Sequence, residues 1–175
     1  MCEISSSICS SPIGHLTISY CIKGLHSISQ ISTINDQSFI PDENQKIEIQ
    51  SSSGKLPIPE SCLNWLRTYF HSPNNLTSTP ELCPNIMSKK GSFQENVWYT
   101  LLNNVHFGQI ITYGQLAELV GNKKAARAVG TAMFRNPFQL IVPCHRVIRS
   151  NGDMGNYSGG ERNNVKCWLL KHEQK

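Results

Sequence analysis

The chain reads as a mixed α/β (α+β) protein. A small N-terminal unit of sheet and helix is followed by a C-terminal, mainly helical unit with a helix-turn-helix. Three observations carry that reading. Apolar residues alternate at period two near the start of the chain, they recur at helical spacing in the second half, and charge divides between the halves. Residues 1–85 hold four Lys/Arg against seven Asp/Glu, net −3, and residues 86–175 hold twelve against five, net +7. The expected domains are therefore 1–85 and 86–175. A basic half points to a polyanion, of which nucleic acid is the usual one, the alternative being a solvated basic face with no partner.

In the first half, Leu16, Ile18, Tyr20 and Ile22 alternate with Thr17, Ser19 and Cys21, the pattern of a half-buried strand. Lys23-Gly24 makes a turn and Leu25 to Ile31 a return strand. Asn35 to Pro59 is polar and carries Ser, Pro and Gly, so it reads as a loop or weak strand. Glu60 to His71 is helical, with Leu63, Leu66 and Phe70 on one face and Trp65 and Tyr69 beside them. His71-Ser72-Pro73 stops it. Ser72 to Gly91 carries Pro73, Pro80 and Pro84 and reads as a linker. The cysteines are Cys2, Cys9, Cys21, Cys62, Cys83, Cys144 and Cys167, an odd number. No apolar leader is visible, and no apolar run approaches the ~18 residues that span a membrane. A reducing, intracellular compartment is expected, where cysteines serve as metal ligands, nucleophiles or core.

The second half is more sharply punctuated. Ser92 and Glu95 form a capping box ahead of Phe93, Val97, Leu101 and Val105, the spacing of a buried amphipathic helix. Thr112-Tyr113-Gly114-Gln115 is a second box, leading a short helix with Leu116, Leu119 and Val120 inward. Gly121 suits its C-cap. Asn122 then caps a helix expected over Lys123 to Phe134, with Ala126, Val129, Ala132 and Met133 inward. Two short helices joined at a Gly-Asn turn outline a helix-turn-helix. Lys123, Lys124, Arg127 and Arg135 give the second helix its charge, and small residues such as Ala126 and Ala128 let it approach a groove closely.

Ile141 to Ile148 places Pro143-Cys144-His145-Arg146 between β-branched pairs. Free cysteine is often buried, but burying it beside His and Arg calls for partners. Proline mounts the thiol rigidly, and cationic neighbours favour a thiolate nucleophile. Adjacent residues on an extended strand face opposite ways, so His145 should not contact Cys144 directly. A structural core cysteine, or a cysteine hydrolase using the same pair, are the competing readings. Gly155-Asn156-Tyr157-Ser158-Gly159-Gly160 follows. It is either a flexible surface loop or a place where a flat ligand meets backbone closely. From Glu161 the chain returns to helix, with Val165, Trp168 and Leu169 inward.

The helix-turn-helix, Asn136-Pro137, Pro143-Cys144-His145-Arg146-Val147, Asn156-Tyr157-Ser158-Gly159-Gly160 and a terminal helix with Glu173 together resemble the O6-alkylguanine-DNA alkyltransferases, or methylated-DNA–protein-cysteine methyltransferases. The likeness runs from Ser92 to Glu173 and more loosely through Ser11-Pro12-Ile13-Gly14 and the Trp65 helix. It implies single-turnover transfer of an alkyl group from guanine O6 to Cys144, with no cofactor for catalysis. It implies that His145 takes the thiol proton through a water, steadied by Glu173, and that Asn136 orients the network. Tyr113 and Ser158 donate to guanine N3 and O6, Asn156 and Tyr157 belong to the base site, and the carbonyls of Cys144 and Val147 read the exocyclic amine. Arg127 fills the gap of an extruded nucleotide, flanked by Ala126 and Ala128, while Lys123, Lys124 and Arg135 bind DNA. The implied partner is double-stranded DNA carrying O6-alkylguanine, with O4-alkylthymine as a second lesion. The protein is expected to be a nuclear monomer with no membrane partner, cooperative binding along DNA being left open. A damage sensor of similar outline would lack Cys144. Cys2, Cys21 and His26 match zinc positions of animal relatives, and Cys83 lies near the fourth, so a structural zinc held by three Cys and one His is expected.

Overall fold

The computed structural model describes residues 2–31, 36–76, 78–85 and 91–175. The chain falls into two compact units, Met1–Ile34 with Ile40–Met87, and Asn35–Phe39 with Ser88–Lys175. Parts of the expected 35–59 loop and of the expected linker, at residue 35, residue 77 and residues 86–90, lie outside the described residues.

The first unit holds a four-stranded antiparallel sheet in the order β3-β2-β1-β4. Strands β2 (Leu16–Cys21) and β3 (Gly24–Gln30) form the expected hairpin. Strand β1 (Ser5–Cys9), although central, gave no alternating apolar signal because two of its inward residues are serines. Those serines are satisfied: Ser5 Oγ accepts from Leu56 N at 3.0 Å, and Ser7 Oγ lies 2.9 Å from the Tyr20 hydroxyl. Strand β4 (Ile49–Ser53) sits in the stretch read as loop or weak strand, and it is exposed along its length, so burial left no pattern in its sequence. Helix α1 spans Glu60–His71, the expected bounds, and buries Leu63, Trp65, Leu66, Tyr69 and Phe70. The segment after it packs back rather than running free as a linker. Leu25 N donates to Glu81 O at 2.9 Å and Cys83 N to Leu25 O at 2.7 Å. Gly24 makes this approach possible, because a Cβ there would lie 2.6 Å from the Glu81 carbonyl oxygen.

In the second unit, helix α2 (Phe93–Asn104) opens with Ser92 Oγ accepting from Glu95 N, while the Glu95 carboxylate takes the Gly91 amide. Strands β5 (Ile111–Thr112) and β6 (Val147–Ile148) pair in parallel. Helix α3 (Tyr113–Leu119) starts at a complete capping box between Thr112 and Gln115. It ends where Gly121, at φ 88°, and Asn122 return their amides to Glu118 and Ala117, a Schellman closure. Leu116 and Ala117 are its buried residues, and Leu119, expected inward, is 55% exposed.

Helix α4 (Ala126–Phe134) begins later than expected. Asn122 caps a turn instead of the helix: its side chain accepts from Lys124 N and its carbonyl from Ala125 N. Lys123 and Lys124 therefore precede the helix rather than ride on it. Helix α5 (Asn163–His172) also starts later than Glu161. Its N-terminus is capped from far upstream, by Asp36, whose carboxylate accepts from Asn164 N at 3.0 Å and Val165 N at 3.4 Å. Trp98, Leu101, Leu116, Val129, Phe138, Val142 and Leu169 form the core beneath these elements. None of the described helices is long and apolar enough to cross a membrane.

Candidate active site

Cys144 opens a single 3-10 turn, Cys144–Arg146, and extended chain resumes only at Val147. The expected strand is therefore a turn here, because Pro143 directs Arg146 N back onto its own carbonyl at 2.9 Å. The neighbours still diverge. Cys144 Sγ accepts from Asn136 Nδ2 at 3.2 Å. His145 Nε2 shares a hydrogen bond with Glu173 Oε1 at 2.7 Å. Arg146 forks onto the same carboxylate, Nε to Oε2 at 2.7 Å and a terminal nitrogen to Oε1 at 3.0 Å, and gives another N–H to Val105 O.

The two flanking basic residues are thus engaged with Glu173, and neither sets a positive charge against the sulfur as the sequence suggested. Burial pushes the Cys144 thiol up, and hydrogen bonding from Asn136 with the charge of Lys166 only offsets part of that. Burial also lowers His145, despite Glu173, so the imidazole rests neutral at physiological pH. Burial alone would raise the Glu173 carboxyl, yet His145 and Arg146 together hold it below the usual carboxylate range.

Cys144 opens into a cavity of about 550 Å³. The same cavity gathers Tyr113 from the start of α3, Ala126, Arg127, Met133 and Phe134 from α4, Asn136, and the Asn156–Gly159 loop. Of the expected site residues, Ala128, Lys123, Lys124, Arg135, Val147, His145 and Glu173 do not line it. The first four are exposed on or beside α4, and Val147 is buried. Asn136 is fixed at both ends, Nδ2 also donating to Val142 O at 2.8 Å and Oδ1 accepting from Phe138 N at 2.9 Å. Tyr113 is raised by burial and by Cys144, and drawn back by Arg149.

Sequence reasoning missed two residues here. Lys166 is wholly buried in α5, its ammonium donating to Val147 O at 2.7 Å and to Met154 O, and burial brings it down to about 8. Its signal was a lysine flanked by the inward Val165 and Leu169. Arg149 lines the cavity, with no pattern in the sequence to mark it.

A second cluster lies in the first unit. Cys2, Cys21, His26 and Cys83 offer ligand atoms all within 4.8 Å of one another. The Cys83 sulfur is 3.8 Å from that of Cys2 and 3.6 Å from that of Cys21. Both ring nitrogens of the buried His26 lack a hydrogen-bond partner among the described residues.

Residues 92–175 match the family described as 6-O-methylguanine DNA methyltransferase, DNA binding domain. The methylated-DNA–protein-cysteine methyltransferase of Rattus norvegicus is 40% identical over 175 residues, covering 99% of this chain and 83% of the relative. The Homo sapiens protein of the same name is 40% identical over 176 residues, covering 98% and 81%. The chain belongs to the methylated-DNA–protein-cysteine methyltransferase family. Among solved structures, the Mycobacterium tuberculosis O6-methylguanine methyltransferase superposes with a TM-score of 0.71 at 30% identity, over 98% of this chain and 93% of its own. A structure of the M. tuberculosis protein OGT in complex with DNA gives 0.70 at 30% identity, over 95% and 91%. The matched DNA-binding domain of this methyltransferase family contains every residue of the Cys144 cavity and its Glu173 support.

Proposed function

We propose that the protein repairs alkylated double-stranded DNA by moving one alkyl group from guanine O6 to Cys144 Sγ, irreversibly. The observation that carries this is a buried thiol at the foot of a base-sized cavity whose wall includes the small-residue helix α4. A base inside a duplex cannot reach such a thiol, so the nucleotide must be extruded, with Arg127 filling the gap. Lys123, Lys124 and Arg135 supply phosphate contacts, and Ala126 and Ala128 allow close approach.

The chemistry follows from the charge states. Neutral His145 receives the thiol proton through a water, and Glu173 stabilises the resulting imidazolium. The thiolate attacks the alkyl carbon, the C–O6 bond breaks, and its electron pair goes to guanine. Tyr113 at N3 and Ser158 at O6 supply hydrogen bonds to that departing base, which Asn156 and Tyr157 help enclose. The carbonyls of Cys144 and Val147 accept from the exocyclic amine. Each already takes one donor, Val147 N and Lys166 Nζ respectively, which leaves one lone pair apiece. A thioether offers no route back, so no cofactor and no second turnover are involved. O4-alkylthymine fits the same exchange. Residence in the nucleus and binding as a monomer are proposed on the substrate alone.

Intact-mass measurement after incubation with excess duplex carrying O6-methylguanine tests this. One methyl on Cys144 and about one lesion repaired per chain is expected. Turnover on a peptide substrate would restore the hydrolase reading, and a label on another cysteine would overturn the mechanism. Binding without transfer would leave a damage sensor.

We also propose a structural zinc at Cys2, Cys21, His26 and Cys83. A tetrahedral ion with bonds of roughly 2.3 Å holds its sulfurs about 3.8 Å apart, close to the separations found. The unpartnered His26 ring suits the fourth position. Cys83 stands where the resemblance expected a histidine. Zinc here would tie the N-terminus, β2, β3 and the 81–83 segment together in a unit with a modest core. Metal analysis of protein purified without chelator should find about one zinc per chain, and Cys83→Ser should lose it.

A further inference from the structure

We propose that Arg149 is a positioning residue of the transfer reaction, its guanidinium stabilising through Tyr113 the negative charge that passes to the departing base. The proposal rests on the function proposed above and adds a group to it. Arg149 follows β6 directly, and a tight turn fixes its backbone: its amide donates to Asp153 O at 2.8 Å and its carbonyl accepts from Gly152 N at 3.1 Å. The side chain lines the Cys144 cavity. Where it runs is set by Gly155. A Cβ on Gly155 would meet Arg149 Cγ and Nε at 3.5 and 3.6 Å and the Tyr113 ring at 3.6 Å. Arg149 Nε and the edge of the Tyr113 ring are therefore no more than twice 3.6 Å apart, against the same point of the loop.

No carboxylate pairs with this guanidinium among the described residues, whereas Arg67, Lys123 and Arg146 each have one. The cation is left facing the cavity. Its charge opposes the rise that burial imposes on Tyr113, which makes that phenol a stronger donor. The direction of charge flow gives this meaning. Before transfer the negative charge sits on Cys144 Sγ, where Asn136 and Lys166 favour it. As the S–C bond forms and the C–O6 bond breaks, the charge leaves that pair of groups for guanine. Tyr113 and Arg149 are where it arrives. Groups that favour the product-side charge lower the barrier, whereas groups that favour only the thiolate do not.

The test is the leaving-group dependence of Cys144 benzylation by free bases. O6-benzylguanine and O6-benzyl-8-bromoguanine differ in how readily the base carries negative charge. Rates for wild-type, Arg149→Gln and Arg149→Lys are read by intact mass, with duplex O6-methylguanine as a third substrate. Arg149→Gln should slow benzylguanine about tenfold, as expected for one partly solvated charge, and the bromo base clearly less, with Arg149→Lys restoring most of the rate. Equal losses on both free bases would mean a structural role and overturn the proposal. A loss confined to duplex would make Arg149 a phosphate contact and overturn it too, as would no loss at all. Wild-type protein left unlabelled by all three substrates would instead remove the underlying function and this inference with it.

Discussion

Cys144 is a nucleophile held in reserve. Its thiol is raised by burial, and the neighbours that could lower it most are turned toward Glu173. The reactive form is the thiolate, made when neutral His145 takes the thiol proton, and that ion pair holds as many protons as the resting pair, so its population does not change with pH between the lowered imidazole and the raised thiol. With a free benzylated base, the rate constant should be flat between about pH 7 and 8 and fall at lower pH, where His145 is protonated and cannot accept. A rise of about tenfold per unit between pH 7 and 8 would mean that the thiol loses its proton to solvent and not to His145. Asn136 is the direct hydrogen-bond donor to the sulfur, and it also satisfies the buried Phe138 amide. Asn136→Ala should both slow transfer and lower stability by about 1–3 kcal/mol, because a buried N–H is left unmet. Chemical denaturation and single-turnover rates separate the two effects. Residue identity made Cys144, His145 and Asn136 legible in the sequence. Residue orientation was not, since a 3-10 turn and an extended strand place Cys144 and His145 differently.

The elements divide by how their packing is written in the sequence. Helix α1 and the β2–β3 hairpin bury one apolar face each, and period together with the Lys23-Gly24 turn and the His71-Ser72-Pro73 stop placed their bounds to within about one residue. Strand β1 was hidden because its inward serines are satisfied by a tyrosine hydroxyl and a backbone amide, which no hydropathy pattern records. Helix α4 was placed too early because Asn122 can cap either a helix or a turn, and the turn wins once Gly121 has closed α3. The shorter α4 still carries Arg127 on an exposed turn beside the cavity. Arg127→Ala should therefore impair repair of duplex DNA far more than reaction with a free base, since only duplex must hold an extruded nucleotide at a cost of a few kcal/mol. Equal losses on both substrates would assign Arg127 to the pocket or the fold. The capping box at α3 holds Tyr113 in place, and Thr112→Ala should cost about 1 kcal/mol in thermal denaturation.

At the scale of the whole molecule, charge asymmetry pointed to two units, and the chain does divide into two. The division of the chain between those units was not announced. Residues Asn35–Phe39 belong to the second unit although first-unit chain flanks them on both sides. Nothing in Asp36 marks it as the cap of a helix that starts 127 positions later, at Asn163. Contacts of such sequence separation form late and cost loop entropy, so they leave no local trace. The Cys2, Cys21, His26 and Cys83 cluster is a milder case of the same kind, since its spacing matches no standard finger and only folding brings the four together.

The Asp36 cap has a consequence for dissection of the protein. The second unit is discontinuous, so no single cut releases it whole. A fragment beginning at residue 91 keeps Cys144, the cavity and Glu173, yet it leaves the first amides of α5 without their carboxylate. That helix carries Lys166 and leads into Glu173, so its fraying would loosen the support of His145 at one remove. Such a fragment should melt earlier than the same unit in the full chain, by about the 1 kcal/mol of a helix cap, and Asp36→Ala in the full chain should reproduce most of that loss. An Asp, Asn or Ser introduced at Arg162, the residue before the helix, should give part of it back to the fragment. In the language of protein engineering, the catalytic half is portable only with its borrowed cap.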